Sequence, residues 1–109
     1  MKKYEKASVS HEEIVVRQLR KNPDLAAEYL RAAMEEDDEP AAMLVALRRV
    51  AEAIGMAEVA AQAGLKRESL YRVLSPKGNP TLRTIRAVTK SIGVRLSFER
   101  VDTPGRIHA

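Results

Sequence analysis

The stretch MAEVAAQAGLKRESLYRVLS, Met56 to Ser75, decides how this chain folds. Counted from Met56, Ala60 is the fifth residue, Gly64 the ninth, Leu70 the fifteenth and Val73 the eighteenth. Two short helices that cross steeply need a small side chain where they touch, and Ala60 supplies one. The turn between them needs a residue tolerant of positive φ, which Gly64 is at no steric cost. Val59, Leu65, Leu70, Val73 and Leu74 are then spaced to fill the wedge. The pattern predicts helices over about Ala57–Ala63 and Lys66–Leu74, arranged as a helix-turn-helix.

The second of these helices opens with Lys66-Arg67, although the helix dipole favours acids in a first turn. Bases there suit a helix that meets an anion from outside. With Leu70, Val73 and Leu74 inward, Glu68, Tyr71, Arg72 and Ser75 point the other way, with Arg67 beside them. Such a face fits a DNA major groove, where Arg binds guanine O6 and N7 and Glu accepts from cytosine N4, each pairing contributing about 1–3 kcal/mol of discrimination. The plainer reading is a polar surface with a Glu68–Arg72 i,i+4 ion pair. Lys77, Asn79, Thr81 and Arg83 surround the start of the following helix, where unpaired N–H groups attract anions. They are candidate phosphate contacts, or a loop and cap with nothing bound.

Outward from this core, Ser10 and Glu13 have capping-box spacing and open a helix over about Ser10–Lys21. Asn22-Pro23-Asp24 breaks it and starts a second, striped by Leu25, Ala26, Tyr29, Leu30, Ala33 and Met34, which the acidic run Glu35–Glu39 and Pro40 end. A third runs about Pro40–Ile54, burying Met43, Leu44, Leu47, Val50 and Ile54, with Arg48 and Arg49 facing solvent and Gly55 as its stop. After the Ser75–Pro80 loop, Thr81 caps a last helix with Leu82, Ile85, Val88 and Ile92 inward, closed by Gly93. VRLSFERV, Val94 to Val101, alternates Val94, Leu96 and Phe98 with Arg95, Ser97 and Glu99, a period of two that predicts a strand. A lone strand is expected to pair with its copy in a second chain, or with Tyr4–Val9. DTPGRIHA is expected to fray.

The 109 residues suggest a single domain: a helical extension over 1–39, a helix-turn-helix core over 40–93, a strand over 94–101 and a tail over 102–109. Residues 1–63 carry 9 basic and 12 acidic side chains, net −3, while residues 64–109 carry 10 and 3, net +7. That asymmetry is the footprint of a chain with one polyanion-facing end. There is no cysteine, which excludes disulfides and thiolate metal sites and fits a reducing cytoplasm. The longest apolar run, Ala41–Leu47, is too short to cross a bilayer. His11 and His108 lie near opposite ends, no Gly-rich phosphate cradle is present, and Ser69 and Ser75 have no visible base. No enzyme, cofactor, metal or membrane partner is expected.

Three segments, LAAEYLRAAMEEDD, LVALRRVAEAIGM and GLKRESLYRVLSPKGNPTLRTI, resemble the addiction-module antidote proteins, a HigA-like antitoxin family of the Cro/repressor helix-turn-helix class. The combination RESLYR…GNPTL is more specific than the turn alone, and the resemblance spans about Asp24–Val101. It implies a mainly α, lambda-repressor-like helix-turn-helix bundle with an N-terminal helical extension and a short C-terminal β-strand. It also implies an antitoxin that binds operator DNA, represses its own operon and neutralises a small toxin of the RelE/HigB type, while the homodimer is expected from the lone strand's need of a partner. Carried over as DNA contacts are Arg67, Glu68, Ser69, Tyr71 and Arg72. The chain departs from the pattern at Lys66, where a Ser or Thr cap is usual, and at Met56-Ala57, where a polar cap is usual. The toxin contact is expected on the acidic half, at Glu35–Glu39 with Tyr29, Leu30 and Met34 beside it, unless that run is only a solvated helix stop. The alternatives are a stand-alone helix-turn-helix regulator without a toxin, or an interaction module whose basic end faces an acidic protein.

Overall fold

The computed structural model describes residues 13, 14, 17–19 and 22–102. Residues 13, 14 and 17–19 are helical, with Leu19 buried, and the rest of the expected Ser10–Lys21 helix, like Tyr4–Val9 and the tail beyond 102, lies outside the described residues. Five further helices follow: α1 (Pro23–Glu36), α2 (Pro40–Ile54), α3 (Met56–Ala63), α4 (Arg67–Val73) and α5 (Leu82–Ile92).

Local chemistry sets most of the boundaries. The Asn22 side chain accepts from the Asp24 amide at 3.1 Å, and Pro23 occupies the first helical position, where its missing N–H costs nothing. The α1 stripe packs on α2 through Leu25, Ala26, Tyr29 and Leu30. Gly55 ends α2 and caps α3 at once, so no linker separates the two. Gly64 ends α3 in the left-handed region at φ 76°, and the Leu65 amide reaches back to the Ala60 carbonyl at 2.8 Å. The Thr81 hydroxyl accepts from the Thr84 amide at 3.1 Å and starts α5.

The core lies where α3 packs against α2, α4 and α5. Leu47, Val50, Val59, Leu70, Leu74 and Val88 are its largest fully buried side chains. Burial of each such side chain stabilises the fold by roughly 1.5–3 kcal/mol. Ala60 is buried between the helices, as the spacing requires.

Three expectations are corrected. The fold is a mainly α-helical bundle, and among the described residues there is no β-strand: Val94–Val101 lacks regular structure. Among the described residues its one backbone tie is the Val94 amide to the Thr89 carbonyl at 2.9 Å. Alternating apolar residues fix where side chains could pack, but a strand needs a second stretch to supply its ladder. Second, Leu82 is 67% exposed rather than inward, because at the first position of α5 it lies before the turn that meets α3. Third, Arg48 and Arg49 are half-buried. Arg48 pairs with Glu52 at 2.8 Å, and Arg49 donates to the Tyr29 hydroxyl at 3.3 Å, tying α2 to α1.

Candidate nucleic-acid interface

α4 is a seven-residue helix held by its buried edge. Leu70 and Leu74 are fully buried and Val73 half-buried, which turns Arg67, Glu68, Tyr71 and Arg72 outward together. Lys66 stands at the N-cap without a side-chain capping bond, and Gly55 caps α3 without one either. The two departures from the usual pattern thus leave both first turns without a side-chain acceptor for their amides.

Within the face, Arg67 lies over the Tyr71 ring, 5.8 Å from its centroid. The Glu68–Arg72 ion pair of the plainer reading does not form. Arg72 instead donates to the Ser69 hydroxyl at 3.4 Å, a contact at the long end of hydrogen bonding. Ser69 is half-buried, and its hydroxyl is the acceptor in this contact with Arg72. Ser75 is also half-buried, and its hydroxyl donates to the Arg72 carbonyl at 2.9 Å, closing the end of α4. Glu68 makes no hydrogen bond or ion pair among the described residues and keeps its full acceptor capacity for an outside donor.

Lys77, Asn79, Thr81 and Arg83 are all exposed along the loop and the first turn of α5. The Thr81 hydroxyl is committed to its cap, while the side chains of the other three make no hydrogen bond or ion pair among the described residues. Gly78 had no distinguishing signal beyond its place in a loop. A Cβ there would run into the Val73 carbonyl, so this glycine lets the loop close against the end of α4. A basic cleft of about 350 Å³ was also missed, lined by Arg86, Lys90 and Arg95 among others. The i,i+4 spacing of Arg86 and Lys90 was its legible sign. Among the described residues no group of three His, Asp or Glu side chains could hold a metal, and no helix is long and apolar enough to cross a membrane.

These elements define a small helical protein that presents a basic, partly preorganised helix face on a close-packed core. The family model described as "probable addiction module antidote protein" matches residues 11–100, and the chain belongs to that family. An uncharacterised protein of Haemophilus influenzae (strain ATCC 51907 / DSM 11121 / KW20 / Rd) is 36% identical over 72 residues, 66% of this chain and 73% of the relative. No solved structure matches. A non-catalytic antidote agrees with the expectation that the chain is not an enzyme.

Proposed function

We propose that this antidote is a sequence-specific DNA-binding antitoxin that works as a homodimer, represses its own operon and neutralises a small basic toxin of the RelE/HigB type. The reading rests on one observation: the Gly64 turn holds α4 so that Arg67, Glu68, Tyr71 and Arg72 are exposed while Leu70 and Leu74 anchor it. In this reading α3 and α4 form a helix-turn-helix whose second member enters the major groove. Arg67, Glu68 and Arg72 read base edges, and Lys66, Lys77, Asn79 and Arg83 meet phosphates, which orient the protein without specifying sequence. Thr81 positions the α5 start through its cap. The toxin is drawn to the exposed acidic run Glu35–Glu39, away from the basic residues that face DNA.

The test is a gel-shift titration of the full chain on the DNA upstream of its own gene, against random duplex of equal length. Preference for the upstream DNA supports the reading. Equal affinity for both at every salt concentration overturns base-specific recognition. Growth rescue on co-expression with a toxin encoded next door separates an antitoxin from a stand-alone regulator.

A further inference from the structure

The basic cleft of about 350 Å³ is lined by the second half of α5 and by residues 94–96. Arg86, Lys90 and Arg95 line it and are all exposed. Among the described residues none of these three side chains makes a hydrogen bond or ion pair, and no acid lines the cleft. Bases near the end of a helix ordinarily serve its unpaired last carbonyls. Here those carbonyls already have donors. The Thr89 carbonyl accepts from the Val94 amide at 2.9 Å, and the Lys90 carbonyl from the Gly93 amide at 3.1 Å. The Arg86 and Ala87 carbonyls accept from the Thr89 and Ser91 hydroxyls at 3.1 and 2.8 Å. Three like charges thus share one cavity without a counter-charge beside them, which favours an anion from outside.

The size of the cleft and its uncharged lining narrow the anion. Its volume falls near the lower end of the range for small-molecule sites, about 300–1,000 Å³. Ala87, Val94 and Leu96 add apolar surface that a bare phosphate leaves unused and that a flat ring covers. Each guanidinium can grip a pair of phosphate oxygens, and the Lys90 ammonium adds a third positive charge. Among the described residues none from α3, α4 or the Ser75–Pro80 loop lines the cleft, so it stands outside the face assigned to DNA. We infer that the cleft binds a small organic diphosphate of the nucleoside diphosphate class. Arg86, Lys90 and Arg95 hold its phosphates, and Val94 and Leu96 lie against its ring.

The site goes beyond the DNA reading, and its test needs no operator. Isothermal titration of the full chain with ADP is run at about 0.15 M salt, where loose surface attraction is screened. One ADP binds per chain with a dissociation constant below about 1 mM, and pyrophosphate binds about tenfold more weakly. Lys90→Gln and Arg95→Gln each weaken ADP by about tenfold. Thermal melts of both variants match wild type, because both side chains are exposed. Arg31→Gln removes one exposed charge outside the cleft and leaves ADP binding unchanged. A random duplex of about 20 base pairs leaves the ADP affinity within about threefold. Absence of binding at millimolar ADP, affinity indifferent to Lys90→Gln and Arg95→Gln, or an equal loss from Arg31→Gln overturns the inference. Pyrophosphate as tight as ADP removes the ring and overturns it too. So does displacement of ADP by the duplex, which would make the cleft a stretch of the DNA track.

Discussion

The Arg67 guanidinium carbon lies 5.8 Å from the centre of the Tyr71 ring, one turn further along α4. The ring restrains a long side chain that would otherwise sample many rotamers, and at an exposed site such a contact contributes about 0.5–1 kcal/mol. Tyr71→Phe keeps the ring and is expected to preserve operator preference. Tyr71→Ala is expected to lower it by a similar amount while binding to random duplex changes less. Competition gel shifts with the two duplexes measure this directly; identical behaviour of the two variants would remove Tyr71 from the argument.

Arg72 and Lys77 separate reading from gripping. Arg72→Ala should cost about 1–3 kcal/mol on the operator and relax base preference. Lys77→Ala should weaken all sequences alike and reduce the slope of log K against log salt by about one. Urea unfolding should leave both near wild type, since both positions are exposed.

Leu70→Ala should behave in the opposite way. The side chain is fully buried, and its truncation is expected to cost about 2–5 kcal/mol of stability. DNA binding then falls only as the folded fraction falls, and low temperature or added osmolyte recovers it.

Two glycines should respond differently to the same substitutions. Gly64 has open space around a Cβ but a φ of 76°, so Gly64→Ala costs about 1–2 kcal/mol and Gly64→Asn less, since Asn tolerates the left-handed region. Gly78 has no positive φ, yet a Cβ there meets the Val73 carbonyl. Gly78→Ala and Gly78→Asn should therefore both destabilise, by about 1–3 kcal/mol. Chemical denaturation of the four variants checks the ordering; an Asn rescue at Gly78 would contradict it.

Charge reversal at Glu35, Glu36 and Asp38 tests the toxin-facing end. All three are exposed, so the melting temperature should hardly move and operator affinity should not fall. Growth rescue against the adjacent toxin should be lost. Undiminished rescue would move the contact elsewhere.

Much of this architecture was legible because its signals are local. Asn22-Pro23, Gly64 and Thr81 mark helix ends through hydrogen bonds made within a few residues, and the α2 stripe places Leu44, Leu47 and Val50 by periodicity alone. What escaped depends on distant partners. Arg49 looks like a solvent-facing base until Tyr29 arrives from another helix, twenty positions earlier. Leu82 matches the apolar period of α5, but period says nothing about where along its length a helix stops touching its neighbour. Val94–Val101 alternates like a strand, yet alternation carries no information on whether a second edge is present. Within the candidate interface, the outward set was readable from Leu70 and Leu74, whereas Arg67 over Tyr71 and Arg72 on Ser69 are rotamer choices that spacing does not encode.

The corner at Gly55 sets a limit on how related chains can vary in length. Because one residue closes α2 and opens α3, no slack exists to absorb an insertion. A single added residue that lengthened α3 at its start would turn the rest of that helix by about 100° about its axis. Val59 and Ala60 would swing out of the core, and the whole register of α4 would swing with them. The six-residue loop from Ser75 to Pro80 carries no such constraint along most of its length. Natural length differences among relatives should therefore collect there, and the joint between α2 and α3 should keep a constant residue count.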